Sequence, residues 1–105
     1  MGNQLFDQYS YLHFATGVIT YFWDISLFQW FVLHTLFEII ENTQYGINFI
    51  QTYFWFWPGE GKRYADFPIN ILGDTIFALL GWYSAYLLDY IGTKNNWYKP
   101  HLVKT

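Results

Sequence analysis

Apolar and aromatic positions fill residues 9–23 apart from Ser10, His13, Thr16 and Thr20, and Phe6 extends the run to residues 6–23. At about 18 residues, or about 27 Å of helix, this run approaches the thickness of a bilayer's hydrocarbon core. Asp24-Ile25-Ser26 then supplies a polar break and helix N-cap candidates, and a second apolar run covers residues 25–43. So short a link makes the two helices antiparallel neighbours. Tyr45, Ile47, Phe49, Ile50, Tyr53 and Phe54 recur in a register that predicts a short interfacial helix over residues 45–55. The stretch WFWPGEGKRYAD ends it, because Pro58, Gly59 and Gly61 do not continue a helix. Asp66 stands as an N-cap candidate with Pro68 just inside the next helix, and residues 69–88 give the clearest span, roughly 30 Å long. Residues 92–105 read as a polar tail. The pattern predicts an all-α fold: an integral membrane three-helix bundle, one membrane domain over residues 1–105, with a short interfacial helix between spans 2 and 3.

Composition supports lipid as the solvent. Charged residues make up 12% of the chain and aromatics 26%. Soluble domains average roughly 25% charged residues, so a soluble fold of this chain would lack charge to cover its surface. The mean hydropathy of +0.08 understates the case, since such scales penalise Trp and Tyr, which favour the bilayer interface. Without cysteine there is no disulfide framework, thiolate metal site or Cys nucleophile. A net charge of −3 with five basic residues excludes nucleic acid as a partner. The polar N-terminus has no basic n-region or A-x-A site, so no cleaved signal peptide is expected, and Phe6 stands where myristoylation requires Ser or Thr.

The polar residues inside the spans then need an explanation. Alternating direction puts the start of span 1, the end of span 2 and the start of span 3 on one side. His13, Glu38, Glu41, Asn70 and Asp74 all fall within about two turns of those ends. At 100° per residue, His34, Glu38, Glu41 and Asn42 share an arc of about 100°, and Asn70, Asp74, Phe77 and Gly81 one of about 60°. His13, Thr16, Gly17 and Thr20 form a third face. Thr16, Gly17 and Thr20 against Gly73, Gly81, Ser84 and Ala85 make a small-residue seam along which helix backbones approach closely. The polar network expected inside the bundle is His13, His34, Glu38, Glu41, Asn42, Asn70 and Asp74. Intramembrane ionisable groups are tolerated when they face such an interior and pair.

The order and spacing of HFATG, FEIIENT, a following Asp and N-x-x-GDTIFALLGW resemble a family of small uncharacterised bacterial inner-membrane proteins, the domain of unknown function 2585. More distantly they are similar to the VanZ-like membrane proteins, where a His in the first span, a W/F-E-x-x-E element and a late GD-x-x-x-N element recur. The resemblance covers residues 11–88 and implies a multi-pass membrane architecture. Members of those families typically carry a further C-terminal span, beyond the stretch that residues 11–88 resemble.

Two chemistries fit the polar layer. Carboxylates with imidazoles are ordinary ligands for a divalent metal such as Zn, Mn or Fe, with Glu38, Glu41, Asp74 and His13 the candidates and His34 nearby. The same residues also suit a hydrogen-bonded lock that keeps three helices in register. Three clustered carboxylates in low dielectric cannot all stay ionised without a positive partner. His13, His34, a loop cation from Lys62 or Arg63, or a bound metal could supply it.

The remaining signals are plainer. Trp23, Trp55, Trp57 and Trp97 read as interfacial anchors, and Asp89 and Lys94 as ordinary helix-end charges. PGEGKR lacks the Walker spacing and reads as a turn. Lys94, Lys99 and Lys104 against Lys62 and Arg63 favour a cytoplasmic C-terminus.

Three functions follow, in order. The first is a structural or accessory subunit of a membrane assembly, its partners the lipid bilayer and other membrane subunits. The second is a metal-dependent membrane enzyme acting on a lipid-linked substrate, with Glu38 as general base and Asp74 and Glu41 as ligands. The third is a proton or ion conduit, ranked last because only Ser26 and Gln29 are polar between Trp23 and His34.

Overall fold

The computed structural model describes residues 3–58, 61–62, 64–99 and 101. Gly59, Arg63 and Lys104, which figure in the turn, cation and orientation arguments, lie outside the described residues, as do Met1 and Gly2. Four helices carry the fold: α1 (Ser10–Phe22), α2 (Leu27–Glu41), α3 (Gln44–Tyr53) and α4 (Pro68–Lys94). No strand occurs among the described residues.

Each helix starts where a side chain or a proline ends the preceding segment. Asp7 Oδ1 accepts from the backbone N–H of Tyr9 (2.9 Å) and of Ser10 (3.1 Å). These bonds hold the chain in a turn before Ser10, so α1 is shorter than the predicted 6–23. Ser26 Oγ accepts from Gln29 N–H while Gln29 Oε1 accepts from Ser26 N–H, a reciprocal capping box that opens α2. Thr43 Oγ1 accepts from Gly46 N–H and opens α3. Pro68 occupies the first turn of α4, where its missing N–H costs nothing. The N-cap there is Phe67, not Asp66, whose carboxylate is drawn instead to Lys62.

α4 runs past residue 88 to Lys94, and the predicted polar tail folds back on its end. Asn96 adopts a left-handed φ of 57°, Trp97 N–H donates to Gly92 O, and Tyr98 Oη donates to Leu88 O. Asp89 is buried, accepting from Tyr21 Oη and from His101 N–H, so it is not an ordinary helix-end charge.

Among the described residues only α4 is long and apolar enough to cross a membrane. α1 with 13 residues and α2 with 15 reach about 20 Å and about 22 Å, less than a hydrocarbon core.

Packing centres on α4. It lies along the length of α1 and touches α2 less, while α1 and α2 meet at few positions. A Cβ at Gly17 would run into the carbonyl of Ala78, and one at Gly81 into the carbonyl of Phe14. Gly17 and Gly81 of the predicted seam therefore make the α1–α4 contact, whereas Gly73 packs against Leu5 before α1 and Thr16 is exposed at the cavity. Tyr21, Trp30, Ala78, Trp82 and Ala85 form the buried core beside it. Two indoles fix the α1–α2 hairpin to α4: Trp82 Nε1 donates to Ile25 O (2.7 Å) and Trp30 Nε1 to Ala78 O (3.0 Å). The outer surface stays apolar, with Phe28, Ile39, Ile40, Leu72 and Leu88 all more than half exposed.

Candidate metal centre

The end of the bundle where α1 begins, α2 finishes and α4 begins gathers the polar residues. α1 supplies His13, α2 supplies His34, Glu38 and Glu41 on successive turns of one face, and α4 supplies Asp74. His34, Glu38, Glu41 and Asp74 are buried, and His13 is half-buried.

Three atoms converge on one point. His13 Nδ1 lies 2.8 Å from His34 Nε2, and Glu38 Oε1 lies 3.5 Å from each of them. The circle through the three has a radius of about 1.9 Å, just inside the roughly 2.0–2.2 Å at which imidazole nitrogen and carboxylate oxygen bind Zn²⁺. An ion slightly out of their plane would reach all three at bonding distance.

Hydrogen bonds at the far side of each ring set the proton positions. Asp74 Oδ2 stands 3.1 Å from His13 Nε2, and Asp74 Oδ1 accepts from Ser10 Oγ (3.1 Å). A carboxylate only accepts, so Nε2 of His13 carries the proton and Nδ1 presents a lone pair. Thr75 donates its hydroxyl proton to Ile71 O, which leaves Thr75 Oγ1 an acceptor 3.4 Å from His34 Nδ1. His34 then presents the lone pair of Nε2. Glu38 Oε1 is buried and has no hydrogen-bond partner among the described residues, while Oε2 accepts from Asn42 Nδ2 (3.3 Å).

With both rings neutral and Glu38 ionised, three acceptors would face one another, so the 2.8 Å between the two ring nitrogens requires a proton or a cation among them. A proton on His13 Nδ1 would serve His34, and Glu38 Oε1 would need a second one. A divalent cation would satisfy all three, and the outer bonds to Asp74, Thr75 and Asn42 are those that orient metal ligands.

A second cluster adjoins the first. Lys62 Nζ donates to Glu41 Oε1 (3.1 Å) and Asn42 Oδ1 (2.9 Å) and pairs with Asp66 Oδ2 at 3.1 Å. Lys62 is 1% exposed, and Gln51 Nε2 holds its carbonyl at 2.7 Å. The loop between α3 and α4 therefore delivers the one lysine of this layer, and that lysine is fully engaged. Glu41 Oε2 remains buried without a hydrogen-bond partner among the described residues.

The structure brings His13, His34, Glu38 and Asp74 together as one group, and Glu41 and Asn42 join the neighbouring lysine cluster. Asn70 stands apart from both, donating to Gln4 O (2.7 Å) and tying down the segment before α1. Ser10, Thr75 and Asp66 belong to the site although sequence reasoning gave them no such role; only Asp66 carried a signal, as the acidic residue four after Lys62.

Between α1 and α2 a half-open cavity of about 320 Å³ reaches this layer. Leu12, Thr16, Trp30, Phe37 and Trp57 form its sides, and His13, His34, Glu41 and Asp74 are among its polar lining. Trp57 lies within stacking distance of Phe37 (ring centroids 6.5 Å apart), so it covers the cavity instead of standing free in an interfacial belt. Trp23, Trp55 and Trp97 are exposed as anchors would be.

No family model, curated protein or solved structure matches this chain. His13, Glu38, Glu41 and Asp74 meet at the site, while Gly17, Gly81 and Trp82 build the helix contacts behind it.

Proposed function

We propose that this protein is a membrane-embedded metal-dependent enzyme that holds one divalent transition-metal ion on His13, His34 and Glu38. The observation that carries the reading is the convergence of two imidazole nitrogens and a buried carboxylate oxygen that has no hydrogen-bond partner among the described residues. Two imidazoles and one carboxylate suit Zn²⁺ or Fe²⁺. Three protein ligands leave a further coordination position, as catalytic sites do, and the cavity is the open side of this one.

Within this reading each acidic residue has a task. Glu38 is a ligand, Asp74 orients His13, and Glu41, one turn along α2 among the residues that line the cavity, is the general base. Glu38 and Glu41 therefore exchange the roles that sequence reasoning assigned them. When bound, the ion would supply Lewis acidity and lower the pKa of a water molecule. Lys62 holds the other oxygen of Glu41 in place.

An apolar exterior around a polar interior supports a membrane setting, with α4 as the crossing helix and α1 and α2 packed beside it. A second reading is favoured by the same 2.8 Å contact between His13 and His34. With a proton in place of a metal, the cluster is a lock between helices and the protein a structural subunit of a membrane assembly.

Metal analysis of the purified protein separates the two readings. The enzyme reading expects one transition-metal ion per chain, lost in His34→Ala. Metal-free protein that stays folded, together with a Glu38→Gln variant that assembles normally, would leave the lock.

A further inference from the structure

Resting on the metal reading, we propose that the cavity binds the hydrocarbon chain of a neutral single-chain amphiphile whose head carries a carbonyl and a hydroxyl or N–H donor.

The chain follows from shape and lining. The cavity of about 320 Å³ is flanked by Leu12 and Thr16 on one side and by Trp30 and Phe37 on the other, with Trp57 above. Ligand pockets run from about 300 to 1,000 Å³, so this one has room for one chain and not for two. Leu12 is 45% exposed and Phe37 46%. Both belong to the apolar outer surface, which makes the mouth accessible from the acyl region of a bilayer instead of from water.

The head follows from charge. Asp66 and Asp74 line the polar end together with Glu41. Lys62, the lysine nearest them, is already shared among Glu41, Asn42 and Asp66. Glu38, Glu41, Asp66 and Asp74 together outweigh Lys62 and a divalent ion by one negative charge, so an anionic head would add to a net negative layer, at a cost that low dielectric magnifies. Glu41 Oε2 is a buried acceptor that finds no donor among the described residues. Buried acceptors are satisfied in functioning sites, so the ligand brings a hydroxyl or an N–H. A carbonyl on the same head has the open position of the metal centre to turn to. Monoacylglycerols and acyl amides have this chemistry; fatty acids and phospholipids do not.

The test uses full-length protein labelled with 5-fluorotryptophan in a bulky-headed detergent. Its six tryptophans give separate ¹⁹F resonances, assigned by single Trp→Phe variants. Metal content is measured on the same samples. Monododecanoylglycerol is expected to shift the Trp30 and Trp57 resonances saturably and leave Trp97 unmoved. Dodecanoate should bind at least tenfold more weakly. Thr16→Trp, which fills the cavity and whose position meets His13 only at the backbone carbonyl and not at the ring, should abolish the shifts and retain the metal. Metal-loaded protein whose Trp30 and Trp57 resonances do not respond would overturn the proposal and leave the metal reading intact. Dodecanoate binding as tightly as the ester, or saturable shifts that persist in Thr16→Trp, would also overturn it. Metal-free protein would overturn both readings together.

Discussion

His13 Nε2 points at Asp74 Oδ2 across the α1–α4 contact, 3.1 Å away, and this bond aims the opposite ring nitrogen at His34 and Glu38. Asp74 is itself anchored by Ser10 Oγ, so the direction of the imidazole is set two residues deep. Asp74 touches none of the atoms that would hold the ion.

Asp74→Asn tests that arrangement. The amide keeps the volume and one acceptor but loses the charge that raises the basicity of His13. Metal affinity should fall about 10- to 100-fold, as when outer partners of metal-bound histidines are removed. Competition with a chromophoric chelator measures it, alongside helicity to confirm folding. An unchanged affinity would mean that Asp74 serves α1–α4 packing alone.

Lys62→Met leaves Glu41 and Asp66 buried without their cation while keeping most of the lysine's apolar stem. Breaking a buried ion pair by removing one partner costs about 3–5 kcal/mol. Unfolding in mixed micelles should show a loss of that order. Adding Glu41→Gln and Asp66→Asn should recover much of it, because neutral amides strand no charge. Recovery that fails would place the contribution of Lys62 in packing, not in charge.

Helical periodicity carries the part of this site that is legible in the sequence. His34, Glu38 and Glu41 repeat at helix spacing, and the structure sets all three on the inward face of α2. Gly17, Gly81 and Ala85 announce a close helix contact because small residues have few other uses in a row. The extent of α1 was not legible, since its start is decided by a short-range bond from Asp7 that competes with the apolar run through Phe6. The engagement of Lys62 was legible only as one option among several, because a loop has no period from which the reach of a side chain can be read. The pairing of Tyr21 with Asp89 spans the whole hairpin and depends on how far α4 extends. The separation of Asn70 from the metal ligands is likewise tertiary: its amide faces the segment before α1, which folds back over the start of α4.

Gly81→Val probes the seam. Its Cβ would meet the carbonyl of Phe14, an atom held by the α1 backbone and unable to rotate away. Overpacking costs about 1–3 kcal/mol and sometimes more, and here the helices must separate to accommodate it. Loss of stability should be accompanied by loss of metal, since His13 rides on α1 and Asp74 on α4. Gly61→Ala is the control: Gly61 has open space around it, but its φ of +94° adds local strain without moving either helix. Metal retained in Gly81→Val at reduced stability would show that the centre does not require the α1–α4 contact.

Membrane placement makes the final prediction. If α4 crosses the bilayer, its 27 residues span about 40 Å, so the loop before Pro68 and the turn after Lys94 lie on opposite sides. The chain has no cysteine, so single cysteines report position without background. Trp55→Cys and Asn95→Cys replace exposed side chains at the two ends and disturb no buried contact. In sealed vesicles of uniform orientation, an impermeant maleimide should label one variant from outside and the other only after the membrane is opened. Leu80→Cys, halfway along α4 and on its exposed face, should resist the reagent in both states while the bilayer persists. Labelling of both ends from one side would place α4 along the surface instead of across it. The cavity mouth beside Leu12 and Phe37 would then face water, and the choice of a membrane amphiphile as its occupant would lose its physical basis.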